Sequence, residues 1–315
     1  MRRLSYMRFI RTLVDGGILV LTAVIALSCG VAPYGYAESP TGIDGYIWLD
    51  ANDEPLPFQD DAAIQEWMRS ANMISREKVG RGIAGVEKLV LEYEGLQIHA
   101  AFRHVDITVR KSAPQGIEQP RKKYRDAAIF ESAAYELSEL LGIGRVPPVV
   151  ERSIDGQQGT VQIWMEGIRP EVVLIQGDQL HPPDGARWRQ QKQIMYVFDN
   201  LTANSDRNQG NLLIDRSWNI WFIDHTRAFK RSSTLIYRDK LARCERQLWN
   251  SLREVDEETL RQRLEPFLES QEISKLLTRR RLLIRFIESL IKKKGEEEVL
   301  FDLRRPGGEL AVWSD

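Results

Sequence analysis

The chain has 315 residues, 43% of them apolar and 28% charged, with a formal net charge of -1. That balance excludes a strongly basic nucleic-acid binder and a highly charged disordered chain, and it leaves a globular class open. Cys29 and Cys244 are the two cysteines, too few to build a disulfide scaffold.

Arg2, Arg3, Arg8 and Arg11 precede an uncharged run from Gly16 to Ala37 with the core GILVLTAVIALSCGVA. A basic start followed by an apolar stretch is the pattern of an export signal, and Gly35-Tyr36-Ala37 offers small residues for cleavage before Glu38. An uncleaved anchor is the competing reading, because a span needs about 20 apolar residues. A buried helix of the globular body fits poorly, since the run lacks a polar face. No Lys or Arg follows until Arg69, so the expected orientation puts the N-terminus inside and the body outside the cytoplasm. Cleavage would leave Cys244 alone, with no internal disulfide.

Residues 38–59 read as a lead-in loop rich in Pro, Gly and Asp. Asp60-Asp61 offers an N-cap, and Ile64, Trp67, Met68 and Ala71 follow at helical spacing. Gly80, Gly82 and Gly85 then lead into KLVLEY, a turn at Glu94-Gly95, and LQIHAAFRHVDI, a glycine-rich loop feeding a hairpin. KSAPQGIEQPRKKYRD reads as a connection. A helix is predicted over 127–141, with Phe130, Ala134, Leu137 and Leu141 on one face and Gly142 closing it.

VPPVVERSIDGQQGTVQIWM predicts two strands around Asp155-Gly156, and a helix is predicted over 187–201. GNLLID and IWFID form a short hairpin, and everything from Leu235 onward is charged and helix-prone. No internal repeat is present. Strands early and helices late predict an α+β, two-lobed body with a cleft between the lobes. The expected division is a signal or anchor at 1–37, an extension at 38–78, a β-rich lobe at 79–166 and a helical lobe at 167–315.

The chemistry concentrates in NSDRNQGNLLI, residues 204–214, and FIDH, residues 222–225. Phosphoryl transfer needs a carboxylate beside the attacking hydroxyl, oxygen ligands for a hard cation, and a rigid frame for both. Asp206, Asn211 and Asp224 carry those groups, although Asp and Asn in such a loop also serve simply to brace turns. The pattern D-R-x-x-x-N followed by I-D resembles the catalytic and metal-binding loops of the phosphatidylinositol 3/4-kinase family, whose bacterial and secretory-pathway relatives share a protein-kinase-like core.

That resemblance spans roughly residues 79 to 230. It implies that Asp206 is the catalytic base and that Asn211 and Asp224 hold magnesium or manganese. It also implies ATP as one substrate and a hydroxyl on a protein, lipid or sugar as the acceptor. Arg103, in HAAFR, stands where the family has a phosphate-binding Lys, and Glu131, in FESAAYELSELLG, stands where the pairing helix Glu belongs. Gly80, Gly82 and Gly85 would cover the phosphates, while Gln162, Trp164, Met165 and Glu166 fall in the connector where adenine rests. Arg in place of Lys, and His225-Thr226 in place of Phe-Gly, leave two alternatives open: a nucleotide-binding pseudokinase, or nucleotidyl transfer.

His99, His104 and His181 show no metal-ligand spacing, and no Ser-His-Asp set occurs. Arg121 to Lys123, Arg279 to Arg281 and Lys292 to Lys294 are expected to be solvated, offset by Glu296 to Glu298, with no nucleic-acid partner. Membrane contact, if any, is expected through the N-terminal segment.

Overall fold

The computed structural model describes residues 46–79, 85–110 and 123–303. The export or anchor segment, Gly80 and Gly82 lie outside these residues.

The first helix, α1 (Asp61–Ser70), starts as its sequence dictates. The Asp60 carboxylate accepts from the Ala63 backbone N–H at 2.8 Å, and Ile64, Trp67 and Met68 are its buried face. It leads into an antiparallel sheet of five strands: β1 (Asn72–Lys78), β2 (Glu87–Tyr93), β3 (Leu96–Arg103), β6 (Val149–Ile154) and β7 (Gln157–Ile163), ordered β1-β2-β3-β7-β6. Both hairpin turns carry paired positive φ angles, at Glu94-Gly95 and at Asp155-Gly156, the backbone that follows the right-handed strand twist. β1 pairs with β2 along its length. The sheet therefore begins at Asn72, and the lobe boundary drawn at 79 from sequence moves earlier.

Between β3 and β6 lie β4 (Asp106–Arg110), β5 (Lys123–Ala127) and the helix α2 (Ile129–Leu140). The first two pair with each other, so the basic segment read as a plain connection contributes a strand at its end. Leu89, Leu91, Ile98, Phe102, Val161 and Ile163 fill the core of the sheet lobe. Tyr46 and Trp48 join them from the lead-in segment and Trp221 from the other lobe. These three rings meet edge to face, with centroids 4.9 to 5.5 Å apart.

A small sheet follows, made of β8 (Arg169–Pro170), β9 (Leu212–Ile214) and β10 (Ile220–Phe222), with α3 (Gly185–Thr202) between the first two strands. Asp184 caps α3 by accepting from the Ala186 and Arg187 N–H groups. The rest is helical: α4 (Arg246–Glu254), α5 (Glu257–Leu264), α6 (Ser270–Lys294) and α7 (Glu296–Val299), with β11 (Cys244–Glu245) pairing in parallel with β12 (Leu300–Phe301). Phe130, Ala134, Leu137 and Leu141 of the α2 segment are buried in the core of this helical lobe.

The architecture is the expected α+β, two-lobed, protein-kinase-like fold. One expectation is corrected: Arg279 and Arg280 are not solvated. They are 0% and 6% exposed, because their guanidinium groups reach back into the lobe to backbone carbonyls, Arg279 to Leu201 and Arg280 to Leu252.

Candidate active site

A cleft of about 480 Å³ is lined from the sheet lobe by Val86, Ala101, Arg103 and Gln162, from the connector by Trp164 and Met165, and from the other lobe by Asn211, Leu213, Ile223 and Asp224. The walls are largely apolar with a few convergent polar groups, the usual character of a small-molecule pocket. Arg103 ends β3, where strand alternation turns it inward, and it is 4% exposed. Its Nε lies 3.6 Å from Glu131 Oε1, while neither Nε nor Nη1 makes a hydrogen bond. A buried cation with idle donors facing a cleft has the chemistry of an anion holder.

Glu131 begins α2 and is fully buried. Burial by itself would raise its pKa. The Arg103 charge and the His225 contacts outweigh that and bring it down to about 2, so the side chain is a carboxylate. Its Oε1 accepts from the His225 backbone N–H at 2.8 Å, and its Oε2 lies 3.0 Å from His225 Nδ1. On the other side of the ring, Arg207 Nη2 lies 2.9 Å from Nε2. Guanidinium can only donate, so Nε2 accepts and Nδ1–H donates to Glu131. His225, which stands where many kinases have Phe, thus joins the α2 carboxylate to the loop that follows Asp206.

Arg207 organises that loop. Its Nε and Nη2 reach the Asp199 carboxylate at 3.1 Å each, and its Nη1 donates to the carbonyls of Asn211 at 2.9 Å and Ile223 at 2.6 Å. Burial pushes the Asp199 pKa up and Arg207 opposes it. One side chain therefore fixes the backbone at Asn211 and immediately before Asp224. Asn211 Nδ2 donates to the Asp206 carbonyl at 3.1 Å, and Asp206 N–H donates to Asn204 Oδ1 at 3.1 Å.

Asp224 sits at φ 61°, a left-handed backbone that Asp tolerates better than most side chains. Burial raises its pKa and the Arg103 charge opposes the rise. Asp206 is half-exposed, and its Oδ2 accepts from Arg227 Nη1 at 3.1 Å. Arg227 Nε also donates to the buried Asp126 of β5 at 2.7 Å. Among the described residues, no group of three or more His, Cys, Asp and Glu side chains is placed to enclose a metal.

Arg103, Asn211 and Asp224 therefore line one cleft. Glu131 backs it, and Asp206 is tied to it through Asn211. Glu166 does not line it: its carboxylate turns to His99 Nδ1 at 2.6 Å, and Gln162, Trp164 and Met165 supply the connector wall. Gly85 precedes β2 at φ +54° with open space around it. Asp199, Arg207, Arg227 and the bridging role of His225 were not read as site residues. Arg207 had a signal, since it is the R of D-R-x-x-x-N.

The fold is that of protein-kinase-like enzymes with two lobes. Its match to a hydra Fam20 structure with sugar has a TM-score of 0.55 at 16% identity, covering 76% of this chain and 91% of that one. The match to a Golgi casein kinase with Mn/ADP bound has a TM-score of 0.53 at 14% identity, covering 80% and 82%. A second structure of the Golgi casein kinase matches at 0.51 and 15%, covering 78% and 80%. No protein-family description and no curated protein sequence matches the chain.

Proposed function

We propose that the chain is a kinase that transfers the γ-phosphoryl group of ATP, with magnesium or manganese, to a hydroxyl on a protein or sugar. The observation that carries this reading is the convergence of Arg103, Asn211 and Asp224 on one cleft, with Asp206 held beside it by the Arg207 clamp. The likeness to a kinase solved with Mn/ADP and to a Fam20 solved with sugar supports it.

In this reading Arg103, held by Glu131, takes the α/β-phosphates on its idle donors, and the apolar walls receive the base. Asn211 and Asp224 offer oxygen atoms suited to a hard cation. With few protein ligands at hand, the remaining ligands would be phosphate oxygens and water, as magnesium favours. A bound divalent cation would neutralise phosphate charge. Asp206 accepts the proton of the attacking hydroxyl. Arg227 engages its Oδ2, which leaves Oδ1 to face the acceptor. The clamp keeps these groups in register, and positioning supplies most of the rate in phosphoryl transfer.

Within the kinase-like fold, the finer assignment is the phosphatidylinositol 3/4-kinase-related branch, on the D-R-x-x-x-N and I-D loops. The apolar segment at 16–37 is assigned to export or anchoring, which puts the body outside the cytoplasm; among the described residues no helix is long and apolar enough to cross a membrane.

A second reading, nucleotide binding without transfer, is favoured by the Arg227 ion pair on the proposed base. One experiment separates the two. Residues 38–315 are incubated with labelled ATP and magnesium or manganese, and binding, transferred label and product masses are recorded for wild type and Asp206→Ala. Transfer lost in the variant with ATP binding kept supports the kinase. Binding without transfer in wild type supports the second reading, a nucleotide carried onto the acceptor indicates nucleotidyl transfer, and no binding with either metal sinks all three.

A further inference from the structure

Arg279 is the most deeply buried cation of the helical lobe. Burial pulls its pKa down to about 10, and it meets backbone carbonyls rather than carboxylates: Leu201 at 2.8 Å, Lys230 at 2.9 Å, and Ser232. Its Nη2 has no hydrogen-bond partner. The guanidinium therefore lies beneath residues 230–232, where the chain leaves Asp224 and crosses α6. Three hydroxyls follow in a row, Ser232, Ser233 and Thr234.

A groove of about 530 Å³ opens over the same stretch of α6, bordered by Ser233, Thr234 and Arg238 on one side and Arg285 and Phe286 on the other. The Arg238 guanidinium rests on the Phe286 ring, 4.9 Å from its centroid. Among the described residues neither the Arg238 nor the Arg285 side chain has a hydrogen bond or an ion pair, and the neighbouring acids Asp239 and Glu288 pair with neither. Thr234 is exposed, and its Oγ1 lies 3.2 Å from Ser232 Oγ. Two guanidinium groups without an ion pair border a partly apolar groove beside Ser233 and the exposed Thr234, one on each side, an arrangement suited to a phosphate.

We propose that Thr234 is a phosphorylation site whose phosphate Arg238 and Arg285 grip. A phosphothreonine brings about -1.5 to -2 charge and three strong acceptors, and a forked guanidinium binds such a group through two donors at once. In the transfer, Thr234 Oγ bonds to the γ-phosphorus of ATP as the bond from that phosphorus to the β–γ bridging oxygen breaks. ADP leaves with the electron pair, and the hydroxyl proton passes to the base of the acting kinase, Asp206 of a second copy where the chain modifies itself. That source of phosphate rests on the function proposed above; the grip on it does not. Once held, the phosphate pins the segment that carries Arg227 against α6.

The test installs phosphothreonine at position 234 of residues 38–315 by genetic encoding and titrates the phosphate by phosphorus NMR. Its second pKa, ordinarily about 6, is expected about one unit lower than in the same free phosphopeptide, and to return in Arg238→Gln/Arg285→Gln, two exposed positions whose change spares the fold. A phosphate that titrates as in the peptide, or a shift that survives the double variant, overturns the proposal. In a second arm, wild type is incubated with labelled ATP and manganese and its phosphopeptides are mapped. Label at Thr234, missing in Thr234→Val, supports the site, and label at other residues but never at Thr234 overturns it. A wild type that labels nothing, while the installed phosphate is gripped, sinks the kinase reading and leaves the site standing.

Discussion

Arg207 and Asp199 meet in a two-point ion pair, with side chains 2% and 0% exposed, at the root of the loop that carries Asp206 and Asn211. Neither charge is tolerable there without the other. Arg207→Lys keeps the charge but loses the fork, so it abandons the Asn211 and Ile223 carbonyls. Denaturant melts are expected to show a loss of about 1–3 kcal/mol, the scale for leaving buried acceptors unsatisfied, together with loss of phosphoryl transfer. A variant as stable and as active as wild type would remove the clamp from the account.

The Glu131 carboxylate gives stability a defined pH dependence. Its folded pKa, about 2, lies below the ordinary 4.5. The stabilisation it brings is therefore complete above about 4.5 and is lost as pH falls toward 2, on the order of 3 kcal/mol. Glu131→Gln is expected to flatten the acid limb of the melting-temperature curve between those values. An unchanged acid limb would mean that Glu131 is not held as an anion.

Asp224 separates fold from function. Its pKa is raised by burial, so ionised Asp224 costs stability near neutral pH, and Asp224→Asn is expected to stabilise the protein in the absence of nucleotide and metal. Asn also tolerates the φ of 61°, whereas Asp224→Ala adds strain of about 1 kcal/mol. Both variants should lose metal-dependent nucleotide binding, read by calorimetry with and without manganese. In the metal-free wild type the Asp224 carboxyl should titrate above the ordinary 3.8, read by carbon NMR, and added magnesium or manganese should lower it.

Arg103→Ala removes the donors that the proposed function assigns to phosphate and leaves Glu131 buried beside His225 alone. ATP affinity is expected to fall by about 100-fold, the worth of one strong charge-assisted contact. Arg103→Lys should fall between this variant and wild type, because a point charge replaces a fork. Equal affinities across the three would exclude Arg103 as a phosphate ligand.

Much of this arrangement was legible because its signals are local. The Asp60 cap, the turns at Glu94-Gly95 and Asp155-Gly156, and the spacing of Asp206, Asn211 and Asp224 each depend on residues close in sequence. What was not legible depends on partners far along the chain. Glu166 read as a connector residue, yet its direction is set by His99 on a neighbouring strand. The end of KSAPQGIEQPRKKYRD is polar and reads as loop, but Arg125 closes on Asp106 with a bidentate pair at 2.8 and 2.9 Å. Arg279 and Arg280 read as surface charge, and only the fold brings the Leu201 and Leu252 carbonyls within their reach.

The apolar face of α2 is embedded in the helical lobe, while Arg103 belongs to the sheet. The same helix is also tied to the sheet, by Ser132 to Glu151 of β6 and by the carbonyl of Ala128, just before α2, to Thr160 of β7. The 3.6 Å contact between Arg103 and Glu131 therefore joins a sheet residue to a helix anchored on both sides of the cleft, so a change at either residue is transmitted to both cleft walls.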